Sequence, residues 1–117
     1  MKKKYIVKNE RDFTRIIKTC KFKKNKSFVI YYEKNNLLYN RYGLSVGKKL
    51  GNAVFRNKYK RKIRSIIDYQ EKNNNISIKK DYIIILREYG SKKEYNDLKE
   101  DLISLLETIN KGEKNEI

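Results

Sequence analysis

The sequence predicts a single α+β domain, a two-layer α/β sandwich with helices packed on one face of a mixed sheet. Three observations carry this. A chain of 117 residues suits one modest core and not two. Its apolar residues switch between helical and strand periodicity in the order α, β, β, α, β, α, with room for one further short strand. Lysine and arginine are interleaved with Ile, Val, Tyr and Phe rather than collected in a low-complexity tail. The domain is expected to span residues 1–117, with flexible ends over about 1–6 and 111–117.

From Asn9 to Cys20, Phe13, Ile16, Ile17 and Cys20 recur at i, i+3, i+4 and i+7, the stripe of a short amphipathic helix, with Asn9 placed to cap it. Lys21 to Lys26 reads as a polar connection. Ser27-Phe-Val-Ile-Tyr-Tyr is a β-branched and aromatic run typical of a strand. Asn35-Asn36 is expected to turn it back, so that Leu37 to Val46 forms the antiparallel return strand of a hairpin. Gly47-Lys-Lys-Leu-Gly-Asn is a loop between glycines, and Asn52 offers an N-cap for a basic helix reaching about Tyr69. Asn73-Asn-Asn reads as a solvated linker. Asp81-Tyr-Ile-Ile-Ile-Leu-Arg is a strand apolar on both faces, and Gly90-Ser91 ends that segment. In the last helix Tyr95, Leu98, Leu102, Leu105, Leu106 and Ile109 share one face. The helix between the hairpin and the Tyr82 strand allows that pair to be parallel. The general rule then favours a right-handed crossover.

The charge is extreme and uneven. Thirty basic and 14 acidic residues leave +16. Met1 to Arg64 holds 21 basic and 3 acidic residues, and the remainder is close to neutral. The partner is therefore a polyanion met by the first half of the chain. A single cysteine forms no intrachain disulfide, and without histidine there is no Cys/His cluster for zinc. No apolar run has the length of a signal peptide or membrane span, so the expectation is a cytoplasmic protein with no membrane association. No nucleophile stands beside a base, and Asp12 with Glu33 is the weak alternative for a carboxylate site. The expectation is no catalytic residue in the protein.

The candidate site is the basic helix. Six of the nine residues from Arg56 to Arg64 are basic. With Tyr59 as origin and about 100° per residue, Phe55, Ile63 and Ile66 fall on its side while Asn57, Arg61 and Arg64 fall opposite. Like charges at i and i+4 repel by a few tenths of a kcal/mol per pair, so the pattern points to an external anion. Arginine supplies a planar fork for phosphate and lysine a point charge. Gly47 and Gly51 would let backbone amides approach phosphate at the helix N-terminus.

The stretch Arg41-Tyr-Gly-Leu-Ser-Val-Gly-Lys-Lys-Leu-Gly-Asn-Ala-Val-Phe-Arg-Asn-Lys-Tyr-Lys-Arg-Lys-Ile-Arg resembles the signature of the protein component of bacterial ribonuclease P. The likeness extends to Asn9-Glu-Arg-Asp-Phe, the Phe28 strand and Lys80-Asp-Tyr-Ile-Ile-Ile-Leu-Arg, nearly the whole chain. Two positions depart from it: Lys58 stands where a second arginine is usual, and Lys62 where an apolar residue is usual. The resemblance implies a fold like ribosomal protein S5 domain 2, with a left-handed βαβ crossover that overrides the general rule. It implies a subunit that assists a catalytic RNA in removing the 5′ leader of precursor tRNA, with Mg²⁺ held mainly by the RNA and the chemistry done there. The implied partners are ribonuclease P RNA and precursor tRNA, with no obligate protein partner. By the same resemblance Lys48, Lys49, Asn52, Arg56, Asn57, Lys58, Lys60, Arg61 and Arg64 meet the catalytic RNA. Phe13, Ile17, Phe28 and Tyr31 map onto its leader-binding cleft, where aromatic rings suit unstacked bases. No residue set for a protein-bound metal is implied.

Two rival readings are a ribosomal protein, which shares the charge and the small α/β format, and a DNA-binding architectural protein. The contiguous Gly43-Leu-Ser-Val, Lys48-Lys49 and Arg56-Asn57 speak against the first, and the lack of helix-turn-helix spacing against the second.

Overall fold

The computed structural model describes residues 2–19, 21–73 and 78–114. Its elements are α1 (Glu10–Lys18), β1 (Phe22–Lys24), β2 (Phe28–Lys34), β3 (Arg41–Ser45), α2 (Ala53–Asn73), β4 (Lys80–Leu86) and α3 (Tyr95–Lys114). Short 3-10 turns occupy Lys3–Tyr5, Lys48–Leu50 and Gly90–Lys92.

The four strands run in the order β1-β2-β4-β3. β4 pairs antiparallel with β2 and parallel with β3, so the sheet is mixed. The expected hairpin between the second and third strands does not form, because β4 lies between them. The reason is the sequence of β4: Tyr82, Ile83, Ile84 and Leu86 are all buried, and a strand apolar on both faces belongs at the centre of a sheet. The return strand is also shorter than expected. Its first residues form a bend in which Leu38 stays 93% exposed. The Lys21 to Lys26 connection holds the short edge strand β1, which pairs Phe22 with Tyr31.

Side chains alternate across the sheet. Phe28, Ile30, Tyr42, Tyr82, Ile84 and Leu86 face α2 and α3, meeting Tyr59, Ile63, Ile66 and Ile67 from α2 and Leu98, Leu102, Leu105, Leu106 and Ile109 from α3. These are the apolar stripes that the sequence predicts for both helices. α1 alone lies on the opposite face, where Ile16 packs with Ile83 and Val7. The expected single-face packing therefore describes α2 and α3, and α1 closes part of the other side. Asn9 caps α1 as expected, its Oδ1 accepting from Arg11 N at 2.8 Å. The cysteine of the α1 stripe, Cys20, and Asn74-Asn75 of the linker lie outside the described residues, while Asn73 is the last residue of α2.

At the ends, which the sequence predicts to be flexible, Lys3–Tyr5 is a 3-10 turn, Ile6 bridges to Tyr42 at the β3 edge, and α3 continues to Lys114.

Candidate nucleic-acid interface

α2 begins where the sequence places its cap. Asn52 Oδ1 accepts from Phe55 N at 2.9 Å, and Arg56 N donates to Asn52 O at 2.9 Å. The Asn52 side chain, expected to touch RNA, thus has one oxygen committed to starting the helix. Gly51 also serves packing. A Cβ there would stand 2.5 Å from the ring of Phe55, which packs 4.7 Å from the ring of Tyr59. Gly47 has open space around it. Lys48 and Lys49 are exposed on the turn between these glycines.

From there Tyr59, Ile63, Ile66, Ile67 and Gln70 are buried, and the opposite side carries the charge. Asn57, Lys58 and Arg61 are exposed, and Arg56, Lys60 and Arg64 are half-buried along one flank. Among the described residues none of the five cations Arg56, Lys58, Lys60, Arg61 and Arg64 forms an ion pair. Arg56 Nε is buried with no hydrogen-bond partner among the described residues. A donor so placed is costly to the isolated domain. Lys62, at a position usually apolar, keeps its amino group 4.5 Å from the centre of the Tyr59 ring, a cation-π contact that lets a charged residue stand there.

The α1 face is organised in rows set by strand register. The first row is ionic: Glu33, Asp81 and Arg41 lie side by side on β2, β4 and β3. Arg41 Nε donates to Asp81 Oδ1 at 2.9 Å and its Nη2 to Oδ2 at 2.5 Å, with Asp81 1% exposed. This bond, the largest influence, raises the Arg41 pKa further above its ordinary range. Arg15 of α1 donates to Glu33 at 2.8 Å and to Asp12 at 3.1 Å. The Asp12 and Glu33 carboxylates thus share one guanidinium, an arrangement of ion pairing and not of acid-base chemistry. The three carboxylates of this row and α1 do not fit a divalent cation, since each is already engaged by a guanidinium. Among the described residues no group of three or more Asp, Glu, Cys or His forms a candidate metal site.

The second row is aromatic and apolar: Phe22, Tyr31, Ile83 and Gly43. Phe22 and Tyr31 rings pack with centroids 5.4 Å apart. Phe13 and Ile17 of α1 join Tyr31 around Ile83 and Ile85, all of them half-buried except Ile83. The third row, Lys24, Val29, Ile85 and Ser45, is left open. Ser45 ends β3 three residues before Lys48, so the open end of this groove adjoins the basic loop. Of the four residues expected in the cleft, the structure brings together Phe13, Ile17 and Tyr31. Phe28 is a correction. An even step from Ile30 and an odd step from Tyr31 put it on the α2/α3 face, fully buried in the main core. Phe22, 44% exposed beside Tyr31, takes the place in the groove expected of Phe28. Recognising Lys21 to Lys26 as a strand would have found it.

Among the described residues no helix is long and apolar enough to cross a membrane.

Comparison with known proteins agrees with this architecture. The Ribonuclease P family matches residues 1–110. The ribonuclease P protein component of Mycoplasma mycoides subsp. mycoides is 46% identical over 109 residues, covering 93% of this chain and 99% of the relative. The solved RNase P protein of Staphylococcus aureus superposes with a TM-score of 0.81 at 35% identity, over 90% of this chain and 94% of that one. That of Thermotoga maritima gives 0.79 at 32% identity, over 87% and 94%. With its mixed four-stranded sheet, three helices and basic α2, this chain belongs to the ribonuclease P protein component family.

Proposed function

We propose that this chain binds ribonuclease P RNA through α2 and the loop before it, and the 5′ leader of precursor tRNA through the α1 groove, so assisting endonucleolytic formation of the mature tRNA 5′ end. The observation that carries the reading is the row of cations on α2. Their opposite face is locked into the core, and no described carboxylate pairs with them. A fixed, uncompensated row of this kind gains its stabilisation from phosphates and released counterions. Lys48, Lys49 and Asn52 extend the row around the helix start, and the half-buried Arg56 adds a guanidinium held against the helix to it.

The groove supplies a second, different surface. Phe13, Tyr31 and Phe22 offer rings to a single strand, whose bases stack regardless of sequence. Lys24 and the Lys48-Lys49 loop stand at its open end for the backbone. The ionic row closes the other end. The chemistry is assigned to the RNA with Mg²⁺, because the protein's carboxylates near the groove are engaged by Arg15 and Arg41. The site of action is the cytoplasm, where precursor tRNA is made.

The test is reconstitution of the purified chain with ribonuclease P RNA and a precursor tRNA at low Mg²⁺, with RNA alone as control. Stimulated 5′ cleavage is expected. Cleavage no faster than that of the RNA alone would refute the reading.

A further inference from the structure

Beyond the cation row, the flank of α2 that carries Arg56, Lys60 and Arg64 runs on into a cavity of about 500 Å³ between the end of the helix and the β3 edge. Residues four apart on a helix rise by about 6 Å, so Arg56, Lys60 and Arg64 form a ladder. Ile67, Asp68 and Glu71, the next turn of that flank, line the cavity. Its other wall comes from Tyr5, Leu38 and Tyr39. The rings of Tyr5 and Tyr39 meet edge to face, with centroids 5.3 Å apart and planes at 78°. Lys4 holds its amino group 5.0 Å from one ring centre and 5.3 Å from the other. Lys72 and Lys79 line the cavity as well.

We propose that this cavity takes an unstacked base of the RNA whose backbone lies along Arg56, Lys60 and Arg64. The proposal rests on the reading of α2 given above and names a new contact within it. Five features argue for this occupant. The volume falls within the roughly 300–1,000 Å³ of small-ligand clefts. The walls are aromatic and aliphatic, which any base face can use. Lys72 and Lys79 line it and Lys4 stands at its two tyrosine rings, three ammonium groups against the carboxylates of Asp68 and Glu71, a balance that suits a phosphate-linked ligand and not an apolar peptide. Glu71, exposed on the helix wall, accepts at Oε1 from Asn40 at 2.9 Å and from the Tyr42 hydroxyl, which fixes the carboxylate and leaves its second oxygen as an acceptor for an exocyclic amine. The 93% exposure of Leu38 also places an apolar side chain where the fold makes no use of it.

The experiment measures the affinity of the full chain for ribonuclease P RNA across a salt series, for the native protein and for Leu38→Ala, Tyr39→Ala, Tyr39→Phe and Arg64→Ala. Stacking is insensitive to counterion release, whereas a phosphate contact is not. Tyr39→Ala is expected to bind roughly 5- to 100-fold more weakly with an unchanged salt slope. Leu38→Ala should show a smaller loss, and Tyr39→Phe should restore most of the affinity. Arg64→Ala should flatten the slope. Thermal unfolding of each variant accompanies the binding data, and Leu38→Ala, at an exposed position, keeps the proposal falsifiable if Tyr39→Ala unfolds. Native affinity in both Leu38→Ala and a folded Tyr39→Ala would overturn it, including in favour of a protein partner at this patch. If Arg64→Ala also behaves as native, it is the reading of α2 that fails.

Discussion

Phe13 lies against the backbone of Gly43, with its Cε2 only 2.8 Å from where a Cβ on residue 43 would stand. The Ile83 Cδ1 atom would be equally close. β3 thus has no side chain at the point where the α1 ring settles onto the sheet, and the glycine sets the depth of the groove. Gly43→Ala is expected to lower stability by about 1–3 kcal/mol through overpacking. It should also displace Phe13, weakening the binding of precursor that carries a leader while binding to the catalytic RNA alone stays near native. Adding Phe13→Ala should return part of the stability, since the new methyl group and the ring compete for the same space. Urea unfolding of the single and double variants measures this, and strictly additive losses would contradict it.

The groove and the core make opposite demands on neighbouring residues of β2. Tyr31→Ala, like Phe13→Ala, should weaken binding of leader-bearing precursor by roughly 1–3 kcal/mol per ring and leave mature tRNA binding almost unchanged. Phe28→Ala should instead cost about 3–5 kcal/mol of folding stability and show no preference between the two RNAs. Competition binding with and without a leader separates the two. Equal loss for both RNAs in the Tyr31 variant would place that ring in the core.

Replacing Arg61 and Arg64 together by alanine should leave thermal stability close to native, since neither forms an ion pair among the described residues. Binding to the catalytic RNA should weaken, with the slope of log K against log salt reduced by about 0.7–0.9 for each phosphate no longer neutralised. A filter-binding series over several salt concentrations reads this directly. An unreduced slope would remove these two side chains from the interface.

Helical periodicity makes α2 and α3 readable residue by residue, because each buries one continuous stripe and nothing competes with it. Strand neighbours are not readable in that way. Asn35-Asn36 looks like a hairpin turn, yet Asn35 uses its side chain to bond Asp81 Oδ1 at 2.9 Å and the Tyr39 carbonyl at 3.3 Å, steering the chain across β4. Order along the chain cannot reveal that a strand more than 30 residues later will be inserted. The same non-local pairing decides which face Phe28 takes. Lys80 is also illegible: it stands just before the strand expected from Asp81, but it is fully buried and donates to Asn110 Oδ1 on α3 at 2.9 Å. The cation row needs no tertiary knowledge, since charge and period alone assign its face.

Alkaline stability should depend on Tyr42. Its ring stacks on Tyr82 with centroids 5.2 Å apart and planes at 11°, and its hydroxyl donates to Glu71 Oε1. Burial, and after it the Glu71 charge, push the Tyr42 pKa well above the ordinary tyrosine value of 10.0. Below that value the phenol is neutral in both folded and unfolded chains, so its contribution to stability is fully present. Above it the unfolded chain releases a proton that the folded chain retains, and stability falls by up to roughly 1.4 kcal/mol per pH unit from this group. Tyr42→Phe loses the hydrogen bond to Glu71 and should be less stable than native near neutral pH by about 1 kcal/mol. It also lacks the titrating group, so the two stability curves should converge above pH 10.0. Melting temperatures of both proteins across that range test the assignment, every other side chain being common to the two. A gap that stays constant above pH 10.0 would mean that Tyr42 ionises as easily in the fold as outside it.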